Sequence, residues 1–445
     1  MPLDRWDRFE PDARRPWDLR RVVHLHRRAA FAGTWAELQR DLADGPERAV
    51  GRLLTGTANG HAAKDFDATA TLLFDTAAAR NEIGRLKAGW FYRLLFGPHP
   101  LQEKLTLLWH DHFATAYAKV RDVGLMRRQN EVLRTHALAT FARLLNAAVR
   151  EPALLLYLDA PANREGHPNE NLGRELMELF TLGVGHYTEA DVKEAARALT
   201  GWGVDDGTFV ELADRHDGGE KSILGTRSRF DGTTLVDLLL TQRAVADRLV
   251  HKLTRQFFGE AGVPPDAAAQ LAAGLREREL DLRWAVETVL RSRLFFDDAN
   301  VRARVLSPVE YVVGSARALE LFDPAPSTPA MADWSARMGQ DVFDPPNVGG
   351  WPAGRQWIHP RSLIARANYA AALVTGPGSG RSAAYDPAAQ ARRFGFGPTP
   401  SDALLFHHRL LFGADPTADT RSRLEPLGSA RLVTALLASP GAQLG

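Results

Sequence analysis

The amino-acid sequence predicts an all-α protein, a large multi-helix globular bundle that one polar segment interrupts. Apolar residues recur at the three- and four-residue spacing of amphipathic helices from about Ala29 to Trp202, and again from Leu235 onward. The alternation of apolar and polar residues that marks a half-buried strand is nearly absent. Hydrophobic residues form 45% and charged residues 24% of the chain, the usual balance of a folded globular protein. The pattern is clearest over residues 38–53, 101–118, 132–149, 172–183, 264–280 and 284–294.

Residues 203–232 form the polar, glycine-bearing interruption, which predicts an ordered loop or a small hairpin insertion. With 445 residues the chain is long for one compact domain. We therefore expect either a single large helical domain over residues 1–445 or two closely packed lobes, residues 1–203 and 233–375. Residues 403–445 are expected to form a terminal helical appendage.

The charge balance and the absence of cysteine narrow the classes of partner and chemistry. The 55 lysines and arginines nearly cancel the 54 aspartates and glutamates, so no nucleic-acid partner is expected. No stretch approaches the roughly 20 apolar residues that span a bilayer. Arg14 and Arg15 are not followed by the apolar run of a secretory signal, and we expect a cytoplasmic protein. Without cysteine, the available metal ligands are His, Asp and Glu.

The densest group of polar residues lies within residues 157–202, where a polar loop leads into an apolar helix. This helix is predicted to begin near Glu170 or Asn171. Its apolar face comprises Leu172, Leu176, Leu179 and Phe180. Glu175 and Glu178 form a polar stripe with Asn171 beside that face. We expect both glutamates to be partly buried, and buried carboxylates need either a partner or a function.

These glutamates have two interpretations. Arg174 stands four residues from both Glu170 and Glu178, and a structural salt bridge would satisfy the charges without chemistry. Alternatively, the carboxylates catalyse acid/base steps, with Glu178 as general acid and Glu175 as base or electrostatic partner. Because inverting glycosidases need about 6.5 to 9.5 Å between carboxyl groups, Glu170 or Asp111 is an alternative second member.

The segment from Lys104 to Ala118 carries two histidines on a predicted helix. The apolar face on which His112 lies also contains Leu105, Leu108, Trp109 and Ala116. His110 points elsewhere, since residues two apart on a helix differ by about 200°. Such a histidine is either a hydrogen-bonded core residue or a metal ligand, although ExxH and HExxH motifs are absent. We expect this helix to pack near the glutamate helix, with His112 and Glu175 or Glu178 in a common cleft.

Two further polar segments are candidate binding loops. In HDGGEKSILG, His216, Asp217 and Lys221 sit in a glycine-bearing turn that is either an exposed loop or part of a site. In FDPPNVGGWPAGRQW, prolines and glycines shape a loop that presents Trp351 and Trp357. These indoles either form a stacking platform for sugar rings or fill the core.

Five segments resemble, in the same order, the signature blocks of a bacterial family catalogued as domain of unknown function 1800. They are WHDHFAT, PNENLGRELMELFTLGVGHYTEADVKEAARALTGW, HDGGEKSILG, SPVEYVVGSARAL and FDPPNVGGWPAGRQW. The resemblance covers roughly Arg27 to Asn368. It implies a helical bacterial protein of a kind that is often exported and often encoded beside a sulfatase-like family, a member of which is then an expected partner. This sequence departs from the exported members in lacking a signal segment, and the resemblance carries no settled activity or catalytic residue.

From the residues themselves we expect a hydrolase that acts on a glycan or a similar small or polymeric substrate through helix-borne carboxylates. The expected catalytic residues are Glu178, Glu175 and Glu170. The expected substrate-binding residues are His110, His112, Trp109, Asn171, Arg174, His216, Asp217, Lys221 and Trp351. No phosphate loop, dinucleotide-binding motif or nucleophile elbow is present, so no cofactor is expected by default.

Two alternatives stay open at this point. One is a metal-dependent oxidoreductase or hydrolase that holds iron, manganese or zinc as a divalent metal. Its ligands would come from His110, His112, Glu175, Glu178 and Asp217. The other is a non-catalytic helical assembly or maturation factor whose buried polar residues only stabilise the fold.

Overall fold

A computed structural model describes residues 4–56 and 66–445 of the chain. This described part contains 23 α-helices and two antiparallel sheets of two strands each, and 63% of it is helical. The predicted all-α class is confirmed. None of the described helices is both long and apolar enough to cross a lipid bilayer.

The first twelve helices precede the polar insertion. They are α1 (Leu19–Ala29), α2 (Trp35–Asp44), α3 (Pro46–Thr55), α4 (Phe66–Arg80), α5 (Ile83–Phe96), α6 (Pro100–His112), α7 (Tyr117–Val120), α8 (Val123–Thr135), α9 (Phe141–Ala148), α10 (Pro152–Tyr157), α11 (Asn171–Glu175) and α12 (Glu189–Ala198). Helix α6 begins at a proline, which has no N–H to leave unpaired in the first turn. The helix predicted over residues 101–118 is in fact two, because α6 ends at His112 and α7 begins at Tyr117.

The polar insertion folds into two small hairpins. Its strands are β1 (Trp202–Asp205), β2 (Thr208–Glu211), β3 (Lys221–Ile223) and β4 (Thr226–Ser228). The first hairpin pairs Trp202 with Glu211, and the second pairs Lys221 with Ser228. Gly225, with a φ of 77°, occupies the left-handed region that the second tight turn requires. The predicted hairpin insertion is therefore confirmed.

Eleven further helices follow the insertion. They are α13 (Gly232–Leu240), α14 (Arg243–Phe258), α15 (Pro265–Glu277), α16 (Leu282–Arg291), α17 (Pro308–Ala318), α18 (Thr328–Arg337), α19 (Pro360–Thr375), α20 (Pro387–Arg393), α21 (Pro400–Phe412), α22 (Ala418–Leu424) and α23 (Ser429–Ala438). The predicted helix pair over residues 264–280 and 284–294 corresponds to α15 and α16. The Asp281 side chain begins α16 by accepting the Trp284 N–H at 3.0 Å.

Two large hydrophobic cores hold these helices together. The first joins α3, α6 and α8 to α12 with α13 to α16. The second joins α4 and α5 with α17, α18, α19, α21 and α23. Each core combines helices from both sides of the insertion, so the expected lobes 1–203 and 233–375 do not correspond to separate cores. Residues 403–445, the predicted terminal helical appendage, contribute Leu404 and Leu432 to the second core.

A buried ionic cluster connects α6 with α17 and α1. The ammonium group of Lys104 donates to the carbonyls of Arg27 and Ala30 at 3.1 and 2.6 Å, and lies 2.5 Å from Glu310. Arg304 also donates to the Glu310 carboxylate. Burial lowers the pKa of Lys104 to about 8. Burial alone would raise the pKa of Glu310, but Arg304 and Lys104 hold it well below its ordinary value.

Glu310→Gln is expected to lower the free energy of unfolding by about 3 to 5 kcal/mol, because Lys104 and Arg304 lose their buried countercharge. Asp333→Asn is the matched control. It breaks an exposed pair with Arg337, at 2.6 Å, and should cost less than about 1 kcal/mol. Urea denaturation measures both losses. Equal losses would show that the buried cluster contributes no more than a surface ion pair.

Candidate functional site

The helix that carries the predicted catalytic glutamates is not α-helical throughout. It begins at Asn171, as predicted, and gives way after Glu175 to a π-helix over Leu176–Thr181. The Leu182 N–H donates to the Met177 carbonyl at 2.8 Å, which is the five-residue interval of a π-helix. Short π-helices are rare and occur frequently at functional sites.

Glu175 and Glu178 lie half-buried on this helix, in different surroundings. Burial and the negative charge of Glu178 raise the pKa of Glu175, and Arg174 offsets this only in part. Glu178 accepts a hydrogen bond from the Tyr187 hydroxyl. Burial lowers the pKa of Arg248, and the charge of Glu178 opposes that change, so these two side chains are close enough to interact. The two carboxyl groups therefore lie in the same site, but different side chains surround each of them.

Glu170, the third predicted catalytic carboxylate, belongs to a surface ion-pair network. Arg174 donates to Glu170 at 3.0 Å and to both oxygens of Glu189 at 2.7 and 2.8 Å. The Asn171 side chain donates to Asp159 at 3.1 Å. The salt-bridge interpretation thus applies to Glu170, and these contacts explain the polar residues at the start of α11 without chemistry.

The two histidines and Trp109 of α6 are core residues. His112 places Nε2 at 3.1 Å from the Phe180 carbonyl, and His110 accepts the Phe343 N–H through Nε2 at 3.0 Å. Trp109 is fully buried, and its indole N–H donates to a backbone carbonyl at 3.0 Å. The contact of His112 with Phe180 confirms that α6 packs against the glutamate helix.

The expected cleft shared by His112 and the glutamates is wrong. His112 is 3% exposed and is enclosed by the rings of Trp109, Phe113, Phe141 and Phe180, so it opens onto no cleft. Burial lowers the pKa of His112 well below its ordinary value, and the charges of nearby basic residues add to this. Both features make His112 a neutral core group.

The predicted metal ligands are not brought together either. Within residues 4–56 and 66–445, no three His, Cys, Asp or Glu side chains stand close enough to hold one metal ion. His110 and His112 direct Nε2 toward the backbone, and their Nδ1 atoms are buried without a hydrogen-bond partner. Burial lowers the pKa of His110 to about 3. These imidazoles pack in the core of the structure and do not form a set of metal ligands.

The residues predicted in the second polar segment form a hydrogen-bonded turn of their own. Asp217 receives two hydrogen bonds from Arg197, at 2.7 and 3.1 Å. His216 places Nδ1 at 2.9 Å from the Thr200 carbonyl, and the buried ammonium of Lys221 donates to two nearby carbonyls. These contacts attach the second hairpin to α12, which accounts for all three predicted residues without a ligand.

The proline- and glycine-rich loop packs against the end of α6 through Asp111. The Trp351 N–H donates to Asp111 at 2.8 Å, and Lys252 of α14 approaches the other oxygen at 3.4 Å. Gly350 has a φ of 86°, and a Cβ there would lie 2.2 Å from Asp111, so the close approach requires glycine. Trp351 is 8% exposed and its ring lies 5.4 Å from that of His110, so it mainly fills the core.

A cleft of about 300 Å³ lies between α6, α14 and this loop. Its cationic lining residues are Lys104, Arg248, Lys252, Arg255 and Arg304. Its carboxylates are Asp111, Glu260 and Glu310. Arg248 also donates through Nε to the Leu179 carbonyl of the π-helix at 2.8 Å. The cleft and the carboxylate pair therefore adjoin at Arg248.

The cationic face of α14 was not among the predicted site residues. Arg248, Lys252 and Arg255 are spaced by four and three residues, which places them on one side of a helix whose other side is apolar. That spacing is readable in the sequence, but it is also the pattern of any solvated helix face. No sequence pattern predicts a role for Tyr187, because its hydroxyl meets Glu178 only in the folded chain.

Gly350→Ala is expected to destabilise the protein more than Gly395→Ala, its matched control. Both glycines have a positive φ, 86° and 83°, and each alanine should cost about 1 to 2 kcal/mol for that reason. No atom lies within 4 Å of a Cβ at Gly395, whereas the one at Gly350 meets Asp111 and displaces the loop. Thermal unfolding of both variants gives the difference. Equal melting temperatures would show that the loop does not need to approach Asp111.

Comparison with known proteins places the chain in a family without assigning an activity. The family described as "Protein of unknown function (DUF1800)" matches residues 24–444, which include nearly all of both cores, the π-helix and the cleft. No curated protein and no solved structure matches the chain. The protein is therefore a member of the DUF1800 family.

Proposed function

We propose that this protein is a hydrolase that cleaves a glycan or a similar polymer by general acid/base catalysis. The observation that supports this proposal is the pair of half-buried carboxyl groups, Glu175 at the end of α11 and Glu178 in the π-helix that follows it. Neither forms a salt bridge with another residue in the described part of the chain. Placing two such carboxyl groups together disfavours their joint ionisation, and that cost is typical of acid/base sites.

In this proposal Glu175 is the general acid and Glu178 is the base, the reverse of the roles expected from the sequence. Burial and the charge of Glu178 raise the pKa of Glu175, so this carboxyl keeps its proton to a higher pH than an ordinary glutamate. Glu178 accepts a hydrogen bond from the Tyr187 hydroxyl and interacts with the positive charge of Arg248, and we assign it the role of proton acceptor.

The proposed reaction needs two proton transfers. Glu178 removes a proton from water as the water oxygen attacks the carbon of the scissile bond. Glu175 donates its proton to the leaving oxygen as the carbon–oxygen bond breaks, so one hydroxyl group forms on each product. Each turnover leaves Glu178 protonated and Glu175 ionised, and exchange with solvent restores both.

The contacts already described also bear on the predicted substrate-binding residues and on the two alternative functions. His110, His112 and His216 hold backbone groups, so we assign them no part in orienting substrate. The metal-dependent alternative lacks its predicted ligand set among the described residues. The non-catalytic alternative predicts that no substrate is cleaved. The cytoplasmic location and the sulfatase-like partner stay predictions.

Glu178→Gln is expected to reduce cleavage at least about 100-fold with an unchanged melting temperature, because it keeps the shape but removes the proton acceptor. The assay is the release of reducing ends from a panel of neutral and acidic polysaccharides. Glu189→Gln, on the exposed carboxylate bound to Arg174, is the control and should retain activity. Undiminished cleavage by Glu178→Gln would reject the carboxylate mechanism.

Leu176→Ala is expected to act through stability instead. Leu176 is fully buried in the first core between the two glutamates, and its truncation leaves a cavity that costs about 2 to 5 kcal/mol. Urea denaturation should show this loss, while the folded fraction keeps most of its specific activity. If Glu178→Gln were as destabilising as Leu176→Ala, Glu178 would be a structural residue, and the non-catalytic alternative would be preferred.

A further inference from the structure

The cleft beside the carboxylate pair has an excess of positive charge. Five lysine and arginine side chains line it, against three carboxylates. The chain as a whole has a net charge of only +1, so this excess is a local property of the cleft. A concave site lined by one sign of charge concentrates ligands of the opposite sign.

The unbalanced charges lie on α14. Glu310 neutralises buried cations at the floor, and Asp111 approaches Lys252 at 3.4 Å. Arg248 and Arg255 form no salt bridge with any residue that the structure describes. The guanidinium group of Arg255 and the terminal nitrogens of Arg248 are therefore available for a ligand that enters the cleft.

The pKa of His251 is affected by this concentration of positive charge. It lies on the same face of α14, and burial together with the charges of Arg255, Arg248 and Lys252 lowers its pKa. The imidazole is consequently neutral near pH 7, since a further proton would be repelled by the three cations. An anion bound in the cleft would relieve the repulsion among these groups.

Arg304 supplies an independent indication of a ligand. It lines the cleft at 9% exposure, and its buried Nε has no hydrogen-bond partner, although a terminal nitrogen donates to Glu310. A buried N–H without a partner costs free energy, and such groups in folded proteins are usually satisfied by water or a ligand. A ligand acceptor that reached this N–H would satisfy it.

We propose that the cleft binds an anionic group of the substrate, which makes the substrate an acidic polysaccharide. The shared chemistry is a sugar-borne oxyanion, either a carboxylate, a sulfate ester or a phosphate ester. Arg248 and Arg255 provide charge-assisted hydrogen bonds to it. Trp351 and Trp357 are mostly buried but also line this cleft, and the small exposed parts of their rings offer apolar contact to the sugar.

The position of Arg248 relates the cleft to catalysis. Its side chain lines the cleft while its Nε donates to the Leu179 carbonyl, next to Glu178 in the chain. An acidic sugar in the cleft places an adjoining linkage toward the carboxylate pair. This assignment of substrate class rests on the proposed hydrolase function, whereas the binding of the anion does not.

Calorimetric titration of the full chain tests the inference. The anionic probes are oligogalacturonate for carboxylate, a dextran sulfate oligomer for sulfate and mannose 6-phosphate for phosphate, with maltohexaose as the neutral control. We expect one anionic class to bind best, maltohexaose not to bind, and the affinity to fall as salt rises. Equal binding of maltohexaose and the anionic probes, or binding of none of them, would overturn the inference.

Substitutions on α14 locate the binding site. Arg255→Gln should weaken binding of the preferred anion by roughly tenfold or more, and Arg255→Lys should retain most of it. Arg243→Gln is the matched control, since Arg243 is exposed on the same helix outside the cleft lining. If Arg255→Gln binds as tightly as the unaltered protein, the cleft is not the anion site and the inference fails.

Glu178→Gln separates this inference from the proposed function. Retained anion binding with lost cleavage supports both. Retained anion binding with undiminished cleavage rejects the carboxylate mechanism but leaves the anion site. Cleavage of a neutral polymer without anion binding rejects the anion site and leaves the hydrolase.

Discussion

The burial of Glu310 between Lys104 and Arg304 is the interaction on which much of the remaining structure depends. A buried carboxylate is tolerated only with countercharges, and here they come from α6 and from the segment before α17. Lys104 extends the connection to α1 through two carbonyls. Because α6 contributes side chains to both large cores, this cluster fixes where the cores meet. The same residues form the floor of the cleft.

Two regions of opposite electrostatic character meet at Arg248. On one side, Glu175 and Glu178 lie half-buried where α11 passes into the π-helix, without salt bridges to described residues. On the other side, the cleft carries more cations than carboxylates. Arg248 spans the boundary by donating to the π-helix backbone while it lines the cleft. The proposed acid/base pair beside the proposed anion-binding cleft would suit an acidic polymer, because the charges that hold the substrate would lie apart from the carboxyl groups that transfer protons.

Several residues that the sequence predicts to be site residues have a structural role in the fold. His110 and His112 are neutral core groups that meet backbone atoms, because most of α6 is buried. Asp217 and Lys221 stabilise a turn. In each case a polar side chain satisfies a buried backbone or charged group. Sequence spacing predicts which residues share a helix face, but not which backbone group of another segment contacts them.

The sequence by itself determined the helical class, the start of the glutamate helix at Asn171, the hairpin insertion and the family, because these follow from local periodicity, turn residues and long signature blocks. It also predicted that Glu175 and Glu178 would be partly buried, since they flank an apolar face. Only the tertiary structure decided that Glu170 is paired, that Glu178 meets Tyr187, and that a cationic helix adjoins the pair. The physical reason is that hydrogen bonds and charge interactions act over a few ångströms, so they depend on which distant segments the packing brings together.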